Sequence, residues 1–156
     1  MRALKLLLVE DSPSDVRLVR EALKATSIPV EITLARDGVE ATDYLHQAEV
    51  GLADRPDLVL LDLNLPRKNG REVLAEVKSS PNLKRTPVLV MTSSRSDDDV
   101  TAAYSLNANC YIAKPGDFQD YVLVVKAIEH FWFLTATLPD AFHGLEMMTN
   151  TAQATH

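Results

Sequence analysis

The stretch 60-LLDLNLPRKNG-70 decides the fold. Leu58 to Leu61 is an unbroken apolar run of strand length, as expected of a strand covered on both faces. It ends on a carboxylate, Asp62, and breaks into a loop carrying Asn64, Pro66 and Gly70. A strand buried on both faces belongs to a parallel sheet with helices above and below. Such sheets place their ligands beyond the carboxyl ends of the strands. Asp62 stands at one of those ends.

Outward from this stretch the same unit repeats. Leu4 to Val9 reads as a first strand, followed by a helix with Ser12 as cap, Pro13 in its first turn and Asp15 near its positive end. Val16, Val19 and Leu23 then recur at helical spacing. Val30 to Ala35 reads as a second strand, with Asp37-Gly38 as the turn and a helix through Val39, Ala41, Tyr44 and Leu45. Val73, Leu74 and Val77 stripe the helix after the third strand. Residues 87–91 form the fourth strand, and Asp97, Asp98 and Asp99 suit the first turn of a helix reaching Tyr104. The cluster itself reads as a solvated helix start. Cys110 to Ala113 is the fifth strand, and residues 117–135 predict one long final helix. Five βα units imply an open, doubly wound α/β sheet with helices on both faces.

The totals exclude several classes. A chain of 156 residues suits one domain, and its charge of −6 lacks the basic footprint of a nucleic-acid binder. No run approaches the ~20 apolar residues of a membrane span. One cysteine, Cys110, excludes an intrachain disulfide. The expectation is a cytoplasmic protein. The histidines show no metal-ligand spacing.

The strand ends carry the chemistry. Glu10 and Asp11 follow the first strand, Asp62 and Asn64 the third, Thr92, Ser93 and Ser94 the fourth, and Lys114-Pro115 the fifth. Clustered carboxylates repel, by about 4 kcal/mol per pair at ~4 Å and an effective dielectric of ~20. They therefore need cations. Lys114 is one. Oxygen donors from Glu10, Asp11, Asp62 and the backbone carbonyl of Asn64 suit Mg²⁺ as another. A carboxylate beside a metal and a lysine is prepared to accept a phosphoryl group, giving an acyl phosphate on Asp62. Thr92 and Ser93 are placed to donate to phosphoryl oxygens, although β-favouring or loop hydroxyls would read the same way in isolation.

The set 9-VEDS-12, 60-LLDLNLP-66 with Gly70, 90-VMTSS-94 and 111-YIAKP-115 resembles the receiver domain of two-component response regulators. The resemblance spans about residues 4 to 135. It implies a flavodoxin-like fold of strand order 2-1-3-4-5 and phosphorylation of Asp62 by a sensor histidine kinase with Mg²⁺. It implies Glu10 and Asp11 as the acidic metal pair, Thr92 as the switch hydroxyl, Tyr111 as the switch aromatic and Lys114 as the conserved-type lysine of the site. It also implies a cis Lys114–Pro115 bond, although X–Pro bonds are ordinarily trans. The ending 129-EHFWFLTATLP-139 and the connection 48-AEVGLADRPD-57 resemble the single-domain regulators paired with bacterial phytochromes. That implies a bacteriophytochrome-type kinase as partner and no attached output domain.

The last helix holds more apolar residues than one face can bury. Tyr121, Val125, Ile128 and Trp132 follow one core stripe. Phe118, Val122, Phe131 and Phe133 fall largely outside it and, with Trp132 at its end, mark a face for a symmetric homodimer or another partner. The division expected is a receiver over residues 1–136 and an extension over 137–156. Leu138, Phe142, Leu145, Met147 and Met148 make the extension an arm onto a partner subunit or a frayed end, with disorder after Met148. Two other functions compete: a dimeric adaptor that ignores phosphorylation, and a Mg²⁺ phosphohydrolase with an aspartyl-phosphate intermediate. The latter normally has a second aspartate two residues after the nucleophile, where this chain has Asn64. The protein is read as a signalling receiver with slow self-dephosphorylation rather than an enzyme.

Overall fold

The computed structural model describes residues 2–139. Five parallel strands, β1 (Leu4–Val9), β2 (Val30–Ala35), β3 (Leu58–Leu61), β4 (Val88–Thr92) and β5 (Cys110–Ala113), form one sheet in the order β2-β1-β3-β4-β5. The helices are α1 (Pro13–Leu23), α2 (Gly38–Glu49), α3 (Gly70–Ser79), α4 (Asp97–Ser105) and α5 (Phe118–Ile128).

The period of two along each strand sorts side chains into two cores. Leu4, Leu6, Leu8, Leu58, Leu60, Leu89 and Met91 point to one face, where Val19 and Leu23 of α1 and Tyr121, Val125 and Ile128 of α5 cover them. Leu7, Val9, Val59, Leu61, Val88 and Val90 point to the other, under residues of α2, α3 and α4. This is why the third strand reads as a continuous apolar run. Its alternation is invisible when both faces need hydrophobic groups.

Each α-helix starts on a side-chain cap. Ser12, Asp37, Asn69, Ser96 and Asp117 accept from the backbone N–H three residues on. These caps satisfy otherwise orphaned donors at the carboxyl edge of the sheet. They fix where each loop ends, and so the depth of the site.

Three expectations are corrected. The final helix is not α-helical to residue 135: a π-helical segment, α6, runs over Glu129–Thr135. An i→i+5 pattern adds one residue per turn and shifts the buried stripe by one position. Phe133, five residues after Ile128, is therefore the core residue at 1% exposure, while Trp132 is only half-buried. Phe133 is thus removed from the candidate partner face. The Lys114–Pro115 bond is trans, as no cis peptide occurs among the described residues. The trans form is the ordinary state of X–Pro bonds. It suffices here, because Lys114 pairs through its own N–H with the Thr92 carbonyl (2.8 Å) and its side chain still reaches Asp62. Finally, Asp99 is not merely a solvated helix start: it pairs with Arg71 of α3 and accepts from the Ser94 hydroxyl.

Leu138, expected in the extension, is buried in the α1/α5 core. Phe142, Leu145, Met147 and Met148 lie outside the described residues.

Candidate phosphoacceptor site

The site follows from strand register. Val9 of β1 lies opposite Leu61 of β3, so the residues after them, Glu10 and Asp62, emerge level with one another. Backbone bonds extend the ladder one step further: Asp62 N–H donates to Val9 (3.0 Å) and Glu10 N–H to Ala35 (3.0 Å). The chain reverses direction across the sheet between β1 and β3, the switch point at which such folds open a crevice.

Gly70 lets the loop close over this point. A Cβ at Gly70 would strike the Asp62 carbonyl oxygen and sit 2.5 Å from Leu63 Cα. The first residue of α3 therefore packs directly on the backbone that carries Asp62, and only a residue with no side chain fits.

Asp62 and Glu10 are buried, with 4% and 3% exposure, while Asp11 is exposed. Lys114 extends from the end of β5 into this group. Its ammonium lies 2.8 Å from Glu10 Oε2, 2.8 Å from Asp62 Oδ2 and 3.0 Å from Asp15 Oδ2. Burial alone would lower the lysine pKa, but hydrogen bonds to Asp62, Glu10 and Asp15 outweigh it and hold it above the ordinary value. Burial is also the largest influence on Glu10 and pushes it up to about 7, against hydrogen bonds from Lys114 and the Ser12 N–H.

Glu10, Asp11 and Asp62 each bring one carboxylate oxygen within 4.8 Å of the others. One ammonium does not balance them together with Asp15. Hard, anionic oxygen donors around residual negative charge fit a hard divalent cation.

Of the remaining predicted residues, Asn64 meets Asp62 directly. Asn64 donates its N–H to Asp62 Oδ1 (3.1 Å) and its side-chain amide to Thr92 Oγ1 (3.4 Å). Thr92 is fully buried at the end of β4, and Ser93 beside it is exposed. Tyr111 turns its hydroxyl inward and donates to the Ser94 carbonyl (2.9 Å). On α5 and α6, Phe118 and Phe131 are exposed, Val122 and Trp132 half-buried. Phe131 and Trp132 pack edge to face, 5.2 Å apart, over an apolar groove of about 370 Å³ lined also by Cys110, Ile112 and Val124.

Two residues at this site escaped the sequence reading. Asp15 passed as a first-turn acid and Tyr121 as a core residue, yet Tyr121 donates to Asp15 Oδ1 (2.9 Å) and Asp15 accepts from Lys114. The available signal was Tyr121 itself: a phenol in an aliphatic stripe needs a hydrogen-bond partner when buried.

The family model described as the response regulator receiver domain matches residues 6–126. Response regulator Rcp1 of Synechocystis sp. is 52% identical over 137 residues, 87% of this chain and 93% of Rcp1. The structure of the phosphorylated cyanobacterial phytochrome response regulator RcpA superposes with a TM-score of 0.84 at 51% identity, covering 89% of this chain and all of RcpA. The Mn²⁺-bound form of Rcp1 superposes at 0.81, with 51% identity and coverage of 86% and 98%. A carboxylate trio and one lysine at the switch point of a 2-1-3-4-5 sheet, in a sequence half identical to phytochrome response regulators, place this chain in the response regulator receiver domain family.

Proposed function

We propose that this chain is a phosphorylatable switch, accepting a phosphoryl group on Asp62 from a histidine kinase of the bacteriophytochrome type with Mg²⁺ as cofactor. The observation that carries this reading is the buried Asp62 carboxylate, paired with Lys114 at 2.8 Å beside the Glu10 and Asp11 oxygens. Glu10, Asp11, Asp62 and the Asn64 carbonyl would hold the ion. When bound, it neutralises charge on the transferred oxygens.

An Asp62 oxygen attacks phosphorus as the P–N bond of a phosphohistidine breaks. The imidazole leaves with the electron pair of that bond. The Lys114 N–H groups and the Thr92 hydroxyl face the oxygens of the transferred group, in a pocket walled from water on the sheet side. Tyr111, held inward on Ser94, keeps the β4–α4 loop close to Thr92. Its position links acceptor chemistry to the surface of α4 as a shift between two populations. Asn64 stands where a phosphohydrolase needs an acid, so turnover of phosphate esters is not expected.

The same proposal includes a homodimer through the outer face of β5, α5 and α6, supported by the apolar groove under Phe131 and Trp132. It also places the protein in the cytoplasm, with its kinase.

Beryllofluoride with Mg²⁺ tests the core of the proposal. Saturable binding is expected, and its loss in Asp62→Ala. Equal binding by the variant would remove Asp62 from the role.

A further inference from the structure

Asp15 is the third residue of α1, and a carboxylate there complements the helix dipole wherever it points. Its oxygens point to specific partners instead: Oδ2 to the Lys114 ammonium and Oδ1 to the Tyr121 hydroxyl. Tyr121 is 1% exposed in the middle of α5. Lys114 carries three N–H donors, and three carboxylates surround them. Two of these, Glu10 and Asp62, belong to the acceptor and the cation site. Asp15 has neither duty, so it remains as a partner when the others are engaged. The lysine stem is flexible and its ammonium is a point charge with no geometry of its own. Something must aim it.

We propose that Asp15 is a positioning residue that aims the Lys114 ammonium at Asp62, and that Tyr121 holds Asp15 in place, tying α5 to the acceptor. The link runs Asp62, Lys114, Asp15, Tyr121 and crosses β3, β5, α1 and α5. It enters α5 on the face opposite the exposed Leu123. This inference rests on Asp62 as phosphoacceptor.

The test uses the full chain, with beryllofluoride and Mg²⁺ followed by calorimetry and the Lys114 ammonium ¹H–¹⁵N resonance identified by its loss in Lys114→Met. Wild-type binding that disappears in Asp62→Ala establishes the underlying reading; without it, that reading fails whatever the other variants do. Given it, Tyr121→Phe keeps ring and charge and is expected to weaken binding about tenfold, the scale for losing an outer partner of a site ligand. Asp15→Asn is expected to lose at least as much. The Lys114 ammonium should exchange with water measurably faster in both, while backbone amide spectra stay native. A Tyr121→Phe protein with wild-type affinity and an unchanged Lys114 resonance overturns the proposal. So does tighter binding by Asp15→Asn, which would mean that its charge opposes the ligand more than its placement helps.

Discussion

Gly70→Ala probes how the acceptor loop is held, through a position that has no side chain and lies eight residues from Asp62. The added methyl would sit 2.5 Å from Leu63 Cα and against the Asp62 carbonyl. Carbon atoms ordinarily rest about 3.5–4.0 Å apart, so the loop must give by about 1 Å. Forced repacking of this kind costs about 1–3 kcal/mol. Replacing glycine also restricts the unfolded chain, which returns about 0.4–1 kcal/mol. The net loss is then about 1.3 kcal/mol at mid-range, or a fall in Tm of roughly 3–5 °C at ~2–4 °C per kcal/mol for a domain of this size. Gly116 provides the control. It lies two residues past Lys114, and a Cβ there meets nothing within 4 Å. Gly116→Ala should melt at or slightly above the wild-type temperature. Beryllofluoride affinity should fall in Gly70→Ala, because the displaced backbone carries Asp62, and hold in Gly116→Ala. If Gly70→Ala matches wild type in both melting and affinity, the packing argument for this loop is wrong.

Other consequences follow from the same packing. Phe133→Ala should destabilise by about 3–5 kcal/mol, as a large buried ring does, whereas the exposed Phe131→Ala should change monomer stability by no more than about 0.5 kcal/mol; chemical denaturation of both separates the π-helical register from a continuous α-helix. Lys114→Met leaves Glu10, Asp15 and Asp62 without their cation and should lower stability by about 3 kcal/mol, with partial recovery on adding Mg²⁺; recovery by Na⁺ at equal ionic strength would point to screening instead. Burial pushes the Cys110 thiol up to about 11, so alkylation should be slow at neutral pH and rise about tenfold per pH unit up to that value, since the thiolate is the nucleophile; a rate that levels off near pH 8 would contradict this. His46 lies 3.1 Å from Glu76 and 3.6 Å from Glu49, and the hydrogen bond with Glu76 raises its pKa above 6.5. A raised folded-state value means that this contribution is full below the unfolded pKa and fades as pH rises through the folded one. The stability gap between wild type and His46→Gln should therefore shrink as pH rises past the ordinary histidine value of 6.5, and a widening gap would count against the pairing.

Much of this site was legible because strand ends and caps are written locally. The apolar run before Asp62 fixes β3, the alternation of Leu6, Leu7 and Leu8 between two cores fixes β1, and equal register then sets Glu10 beside Asp62. Gly70 was legible as a loop-shaping residue, though its partner, the Asp62 backbone, was not. What the sequence hid depends on contacts between distant elements or on a change of period. Asp15 meets Tyr121 across 106 positions. The π-helical turn begins at Glu129 with no proline or glycine to mark it, so the α period carried forward and placed Trp132 where Phe133 belongs. Asp99 looked solvated because Arg71 and Ser94 reach it from other segments.

The most direct test of the central claim is to locate the phosphoryl group. The chain would be incubated with Mg²⁺ and a small-molecule phosphodonor, or with a phosphorylated phytochrome-type kinase, and the product mapped by mass spectrometry. One phosphoryl group on Asp62 is expected, labile to hydroxylamine as an acyl phosphate is, dependent on the divalent cation and absent in Asp62→Asn. Modification at another residue, or none with any donor while the protein remains folded, would contradict the account.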